Sequence, residues 1–237
     1  MSDIRARMRL RCARLDVIAS GAMSETVLRG TEAVTVELDG RLDLARAKSI
    51  VGPGLDPEVV DGAALANLFA FRMEGMSVLG VPGPKLDYGE LLWRVAVRHG
   101  ETPAWLCVAC DIDAMIVRAL GALLVRYPTR EARIDVGERR LEGVDPDEGR
   151  LVLQLDRREG AVLLDAPGRA MLVRSRGALF RIPWGTDAAA EQWSARVRVE
   201  HASLARKTFD ADIAWSAVAR VMRARPHECG IARSVGG

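Results

Sequence analysis

The chain has 237 residues, of which 34 are Lys or Arg and 32 are Asp or Glu, for a formal net charge of +2. Charge so near zero removes the electrostatic case for a protein of nucleic acids or membrane surfaces. With 49% apolar and 28% charged residues, the composition is globular and not disordered. Lysine occurs only at Lys48, Lys85 and Lys207, which leaves 31 arginines. Only a lysine can form a Schiff base; an arginine keeps its proton.

Residues 1–30 are expected to be a partly ordered N-terminal segment, followed by a single domain over 31–237. A chain of this length buries roughly 70% of its unfolded surface. The first residues are rich in arginine, and the apolar run at 15–18 is too short for a signal-peptide core. No stretch reaches the roughly 18 apolar residues of a membrane span. These features predict a soluble cytoplasmic protein, bacterial by composition.

Residues 33–38 alternate as a short strand, the cluster at 52–57 reads as a turn, and 68–73 reads as a second strand. A proline-glycine loop at 80–84 is the next break. Residues 91–98 and 105–110 flank a turn signal at 99–103 and predict a hairpin. Residues 113–126 predict the clearest helix, capped by Asp113 and carrying Ile116, Leu120, Leu123 and Leu124 at helical spacing, with Pro128 ending it. Short strands are then expected at 133–136, 151–155, 161–164, 170–174 and 195–200. Turns are read at Glu142-Gly143 and Asp147-Glu148-Gly149, and one more helix near 214–223. The pattern predicts an α+β, mainly antiparallel β domain, with a curved or closed sheet around a cavity and a few helices.

Four cysteines, Cys12, Cys107, Cys110 and Cys229, are too few for a disulfide framework. Cys107 and Cys110 form a CxxC, which raises zinc and redox readings. Zinc would want a second pair, for which His227 and Cys229 are the candidates, and a redox CxxC opens a helix. The surrounding residues read instead as a buried strand, in which residues three apart point to opposite faces. Plain buried thiols are expected, with no metal and no cofactor. No GxSxG, GxGxxG, P-loop or HExxH occurs.

One stretch carries more. Leu86-Asp87-Tyr88-Gly89-Glu90 enters a strand, Arg94 follows four residues after the Glu, and Pro103 opens the next strand, which holds Asp111. The helix then leaves through Arg126-Tyr127-Pro128-Thr129-Arg130, with Ala132 shortly after. This ordered series, over residues 86–136, resembles the acetoacetate decarboxylase-like superfamily, and most closely its YqjF-like branch, which lacks the Schiff-base lysine. Residues 54–57, 68–73 and 226–232 extend the likeness. In the decarboxylases the Tyr-Pro is followed by two lysines, the first of which forms an iminium with a β-keto acid. Here the matching residues are Thr129 and Arg130, neither of which can. Lys85, in the proline-glycine loop, reads as a solvated surface lysine. The resemblance therefore implies the fold and the pocket, without the decarboxylase chemistry.

If that geometry holds, Tyr88, Glu90, Tyr127, Thr129 and Arg130 lie on or near one cavity, with Arg94 beside it. Arg130 suits a carboxylate by bidentate hydrogen bonding, and Glu90 suits acid/base work if burial raises its pKa. The alternative is a buried ion pair of Glu90 with Arg130 or Arg94 that only fixes the sheet, with the two tyrosines as packing. Arg72, Glu74 and Arg133 are second-tier candidates, and the five tryptophans read as core or pocket wall. Three functions stay open. One is binding of a small apolar or keto-carboxylate ligand. Another is a lyase or hydro-lyase using Glu90 as acid/base and Arg130 as anchor. The third is a non-catalytic scaffold. The expected partner is a small molecule, a carboxylate in the first place, and neither nucleic acid nor membrane. Self-assembly into a homo-oligomer is implied by the resemblance.

Overall fold

The computed structural model describes residues 26–78, 83–158, 169–186 and 189–235. Residues 1–25, the expected strand at 161–164, and the first part of the loop at 80–84 lie outside the described residues. The strands are β1 (Thr26–Leu42), β2 (Asp56–Pro57), β3 (Val59–Val60), β4 (Ala63–Val78), β5 (Leu86–His99), β6 (Thr102–Ile112), β7 (Thr129–Glu131), β8 (Arg133–Val136) and β9 (Arg140–Val144). They continue with β10 (Arg150–Arg158), β11 (Ala170–Ser175), β12 (Ala178–Ile182), β13 (Trp184–Thr186), β14 (Glu191–Ala202), β15 (Ala214–Trp215), β16 (Val218–Gly230) and β17 (Arg233–Ser234). The helices are α1 (Leu44–Val51), α2 (Met115–Leu120) and α3 (Ser203–Phe209), with a π-helical turn over Gly121–Val125. None is long and apolar enough to cross a membrane.

These strands make one mostly antiparallel sheet, so the α+β, mainly β expectation holds. β1 lies between β4 and β16, β5 follows β4, and β6 pairs antiparallel with β5 and parallel with β7 and β11. The sheet curls but does not close. Among the described residues β12 pairs with β11 and β17, β8 pairs with β9, and no ladder joins the two ends. The closed-barrel alternative is thereby corrected. Register shifts between Arg29 and Thr31 and between Glu32 and Val34 on β1, and at Trp93/Arg94 on β5, sharpen the local twist.

Two cores follow from the strand period of two. Leu91, Trp93, Val95 and Val97 of β5 join a core that also takes Ala47 and Val51 of α1 and Leu204, Ala205 and Phe209 of α3. Tyr88, Leu92 and Ala96 face the opposite core, with Val117 of α2 and Val125 of the π turn. Burial on both faces is why β5 reads as a near-continuous apolar run.

Four local expectations are corrected. The bulge in β6 leaves Val108 as the extra residue, since Trp93 faces Ala109 while Arg94 faces Cys107. It rotates Cys107 and Cys110 into the same core instead of onto opposite faces. Asp113 does not cap the helix: it accepts a hydrogen bond from Gly89 N–H at 3.0 Å, and the cap residue is Ala114. The helix splits into α2 and the π turn, so Val117, Gly121 and Val125 face inward while Ile116 and Leu123 are 57% and 54% exposed. Residues 214–223 are not helical. Val218–Gly230 is strand β16, held between β1 and β14, where Ala219 and Val221 enter one core and Met222 the other.

Glu142-Gly143 is also no turn. Gly143 lies inside β9, between Ile134 and Leu151, and a Cβ there would meet Leu91 Cδ1 at 2.7 Å. Gly89 is tighter, because its Cβ would meet Ile134 Cγ2 at 2.7 Å and Ile134 Cβ at 2.9 Å. Gly89→Ala is expected to lose about 1–3 kcal/mol by overpacking, read as a fall in the urea midpoint at constant slope. An unchanged midpoint would show that β8 moves aside freely.

Candidate functional site

Tyr88 and Glu90 point from β5 to the α2 side of the sheet. They line a cavity with Tyr127, Phe71, Trp184, His227 and Cys229. The centre of a water molecule can range over about 20 Å³ there, which is room for about one water.

Glu90 is 3% exposed. Burial pushes its pKa up to about 8, and the nearby Glu32 carboxylate pushes the same way. The hydrogen bonds from Cys110 and Tyr88 oppose the rise without cancelling it. The Cys110 thiol donates to Glu90 Oε1 at 3.2 Å. At neutral pH Glu90 is therefore a protonated carboxyl with a hydrogen to donate. Burial likewise raises the pKa of both tyrosines and of Cys107, Cys110 and Cys229, so all five are neutral. The Tyr127 hydroxyl is buried and has no hydrogen-bond partner among the described residues. A polar group in that position calls for a ligand or a water.

On the far wall, His227 Nδ1 lies 2.7 Å from Glu32 Oε1. Glu32 is fully buried; it also accepts from Thr35 Oγ1 at 2.7 Å and lies 3.5 Å from Arg225 Nε. Glu32 was not among the sequence candidates, and His227 was weighed there only as part of a zinc site. The available signals were a charged residue inside the apolar stretch of β1 and a histidine in the last long strand.

The structure separates the other candidates. β7 runs parallel to β6, with Thr129 beside Cys110 and Arg130 beside Asp111. Neighbouring residues of a strand face opposite ways, so Thr129 sits on the cavity side and Arg130 does not. Thr129 backs the wall, with its Cγ2 3.3 Å from where a Cβ of the lining residue Gly121 would stand. Arg130 faces the other core. Its Nε and Nη2 donate to Asp111 Oδ1 and Oδ2 at 2.7 and 2.8 Å, and Nη2 also reaches Thr208 Oγ1 at 2.7 Å. The placement of Arg130 on the shared cavity is thus corrected.

Arg94 shares the Glu90 face but does not line the cavity. Its guanidinium bonds Asn67 and pairs with Glu37 at 3.0 Å. It lies between the rings of Phe69 and Trp105, 4.5 and 4.8 Å from their centroids. Glu90 pairs with neither Arg94 nor Arg130 among the described residues; those arginines use Glu37 and Asp111. Arg72 and Glu74 pair with each other at the surface, and Arg133 is exposed. None of the three lysines lines the cavity, and Lys207 is tied to Asp145 and Asp147. Among the described residues no group of three or more His, Cys, Asp or Glu side chains could hold a metal ion.

The curled, mostly antiparallel sheet matches the fold of the acetoacetate decarboxylases. The acetoacetate decarboxylase of Legionella pneumophila superposes with a TM-score of 0.66 at 14% identity, over 90% of each chain. An acetoacetate decarboxylase-like enzyme from Sphingomonas wittichii RW1 gives 0.60 at 17% identity, over 92% of this chain and 96% of that one. The enduracididine biosynthesis enzyme MppR gives 0.61 at 16% identity, over 92% and 90%. No family model matches the sequence, and no curated protein matches it. At these identities the likeness is one of fold.

Proposed function

We propose that this protein binds a small carbonyl compound, a short oxo acid in the first place, at the Glu90 cavity, and that it does so without forming a Schiff base. In that respect it would stand with the lysine-less YqjF-like branch of the superfamily. One observation carries the reading: Glu90, held protonated by burial, and Tyr127, whose buried hydroxyl has no hydrogen-bond partner among the described residues, line the same one-water space. Two O–H donors around a small space suit a carbonyl oxygen. They do not suit a carboxylate, for which an arginine would be expected. Arg130, the residue that suits a carboxylate by its chemistry, is engaged by Asp111. A solved structure of MppR is described as complexed with pyruvate, which supports the oxo-acid class. Thr129 in place of a lysine argues against covalent capture.

The test is a thermal-shift series with pyruvate, acetoacetate and acetone, alongside borohydride trapping. A ligand at 100 times its Kd adds about 2.7 kcal/mol to stability. Pyruvate or acetoacetate is expected to raise Tm in the wild type and in Thr129→Ser, but not in Tyr127→Phe/Glu90→Leu. Intact mass after borohydride is expected to stay unchanged. A covalent adduct would reverse the claim about Schiff-base chemistry. A flat response to every ligand would instead favour a scaffold, a reading supported by how little room the cavity has.

A further inference from the structure

His99 and His201 are exposed, whereas His227 is buried in a fixed setting. A carboxylate only accepts hydrogen bonds, so the 2.7 Å contact with Glu32 Oε1 puts a hydrogen on Nδ1 and leaves Nε2 as the ring nitrogen outside that contact. Glu32 is in turn held by Thr35 and Arg225. The ring meets Trp184 edge-on at 4.5 Å and Phe71 at 5.8 Å. A carboxylate that fixes the tautomer and orientation of an imidazole is the arrangement that makes histidine an effective proton acceptor.

The position of the ring gives this arrangement a use. His227 lines the inner cavity with Glu90 and Tyr127, and it also lines an outer groove of about 620 Å³. That groove carries Arg29, Ser77, Lys85 and Glu228. Arg29 is paired with Glu228, while Lys85 is exposed and has no ion-pair partner among the described residues. A short oxo acid across this division would place its carbonyl oxygen in the inner space, its carboxylate in the groove that carries Lys85, and the C–H carbon next to its carbonyl at His227.

We propose that the His227–Glu32 pair is the general base for enolisation of a small oxo acid whose carbonyl oxygen is held by Glu90 and Tyr127. In the step, an α-C–H bond breaks and the proton goes to Nε2. The C–H electron pair forms the C=C bond, and the carbonyl π pair moves onto oxygen, which takes its hydrogen from the Glu90 carboxyl. The reverse step returns a solvent-exchanged proton to carbon, with no net oxidation or reduction. This rests on the binding reading above and goes beyond it by naming an activity and its base.

The experiment is proton exchange of pyruvate in D₂O, followed by NMR loss of the methyl signal, with line broadening as an independent measure of binding. The wild type is expected to exchange the methyl protons faster than buffer. His227→Asn is expected to cut that rate by about 100-fold or more, with line broadening preserved. To guard against misfolding of that variant, His99→Gln/His201→Gln leaves His227 as the sole histidine; diethyl pyrocarbonate must then abolish exchange, and hydroxylamine must restore it. Broadening without exchange overturns this inference alone. No broadening overturns the binding reading and this inference with it. Exchange that persists in His227→Asn or after carbethoxylation assigns the base elsewhere and overturns it.

Discussion

Arg130→Ala will lower the unfolding free energy by about 3–5 kcal/mol, because it strands the buried Asp111 carboxylate. Asp111 is 0% exposed and accepts three charge-relevant bonds: Trp93 Nε1 at 2.6 Å, Arg130 Nε at 2.7 Å and Arg130 Nη2 at 2.8 Å. Arg130 itself is 34% exposed, so little is gained by removing it. The loss falls on Asp111, which keeps one neutral donor. For a domain of this size each kcal/mol moves Tm by roughly 2–4 °C, so a fall of roughly 6–20 °C is expected in calorimetry. Arg130→Lys keeps a charge but not the two-pronged geometry, and it should lie between the two. Asp111→Asn added to Arg130→Ala should recover part of the loss, since no buried charge is then left. A loss under about 1 kcal/mol would show that solvent reaches Asp111. The same variant separates structure from binding: it should lower Tm while leaving the pyruvate-induced shift in place.

This arginine also shows where sequence reading ran out. The hairpin of β5 and β6, the interior placement of Glu90, and the two tyrosines beside it were legible. The hairpin follows from apolar runs and turn residues within one stretch of chain, whereas the placement of Glu90 and the tyrosines on one cavity is what the resemblance to the acetoacetate decarboxylase-like superfamily implies. That Thr129 and Arg130 could not both face the cavity also follows from alternation, once β7 is known to be a strand. It was missed because a three-residue strand leaves no pattern. Glu32 and His227 are 195 residues apart, and only the β1–β16 ladder brings them together. Residues 218–222 place Val218, Val221 and Met222 at a spacing that suits a helix or a strand, and long-range pairing decided it. Gly143 read as a turn because nothing local reveals that Leu91 lies against it.

The stability of the wild type will fall as pH rises from about 4.5 toward 8, and Glu90→Gln will remove that fall. Glu90 ionises near 4.5 when unfolded and near 8 when folded, with burial as the main cause. Below the lower value both states hold the proton, and the group contributes no pH dependence. Between the two values the folded chain still holds a proton that the unfolded chain has released. The unfolded state therefore gains with each unit of pH, by about 1.4 kcal/mol. Over the whole window this sums to about 5 kcal/mol, all of it present above pH 8. Glutamine keeps an acceptor for Cys110 and Tyr88 but never ionises, so the difference between variant and wild type should open through this window and level off beyond it. Urea unfolding at half-unit steps from pH 5 to 9 reads it directly. Parallel curves would mean that Glu90 is ionised in the folded protein at neutral pH. That outcome would remove the donor on which carbonyl binding depends, because an ionised Glu90 would repel the oxygen it is proposed to hold. Stability and binding are therefore two readings of one proton, and pyruvate affinity should decline over the same upper part of the window in which Glu90 loses it.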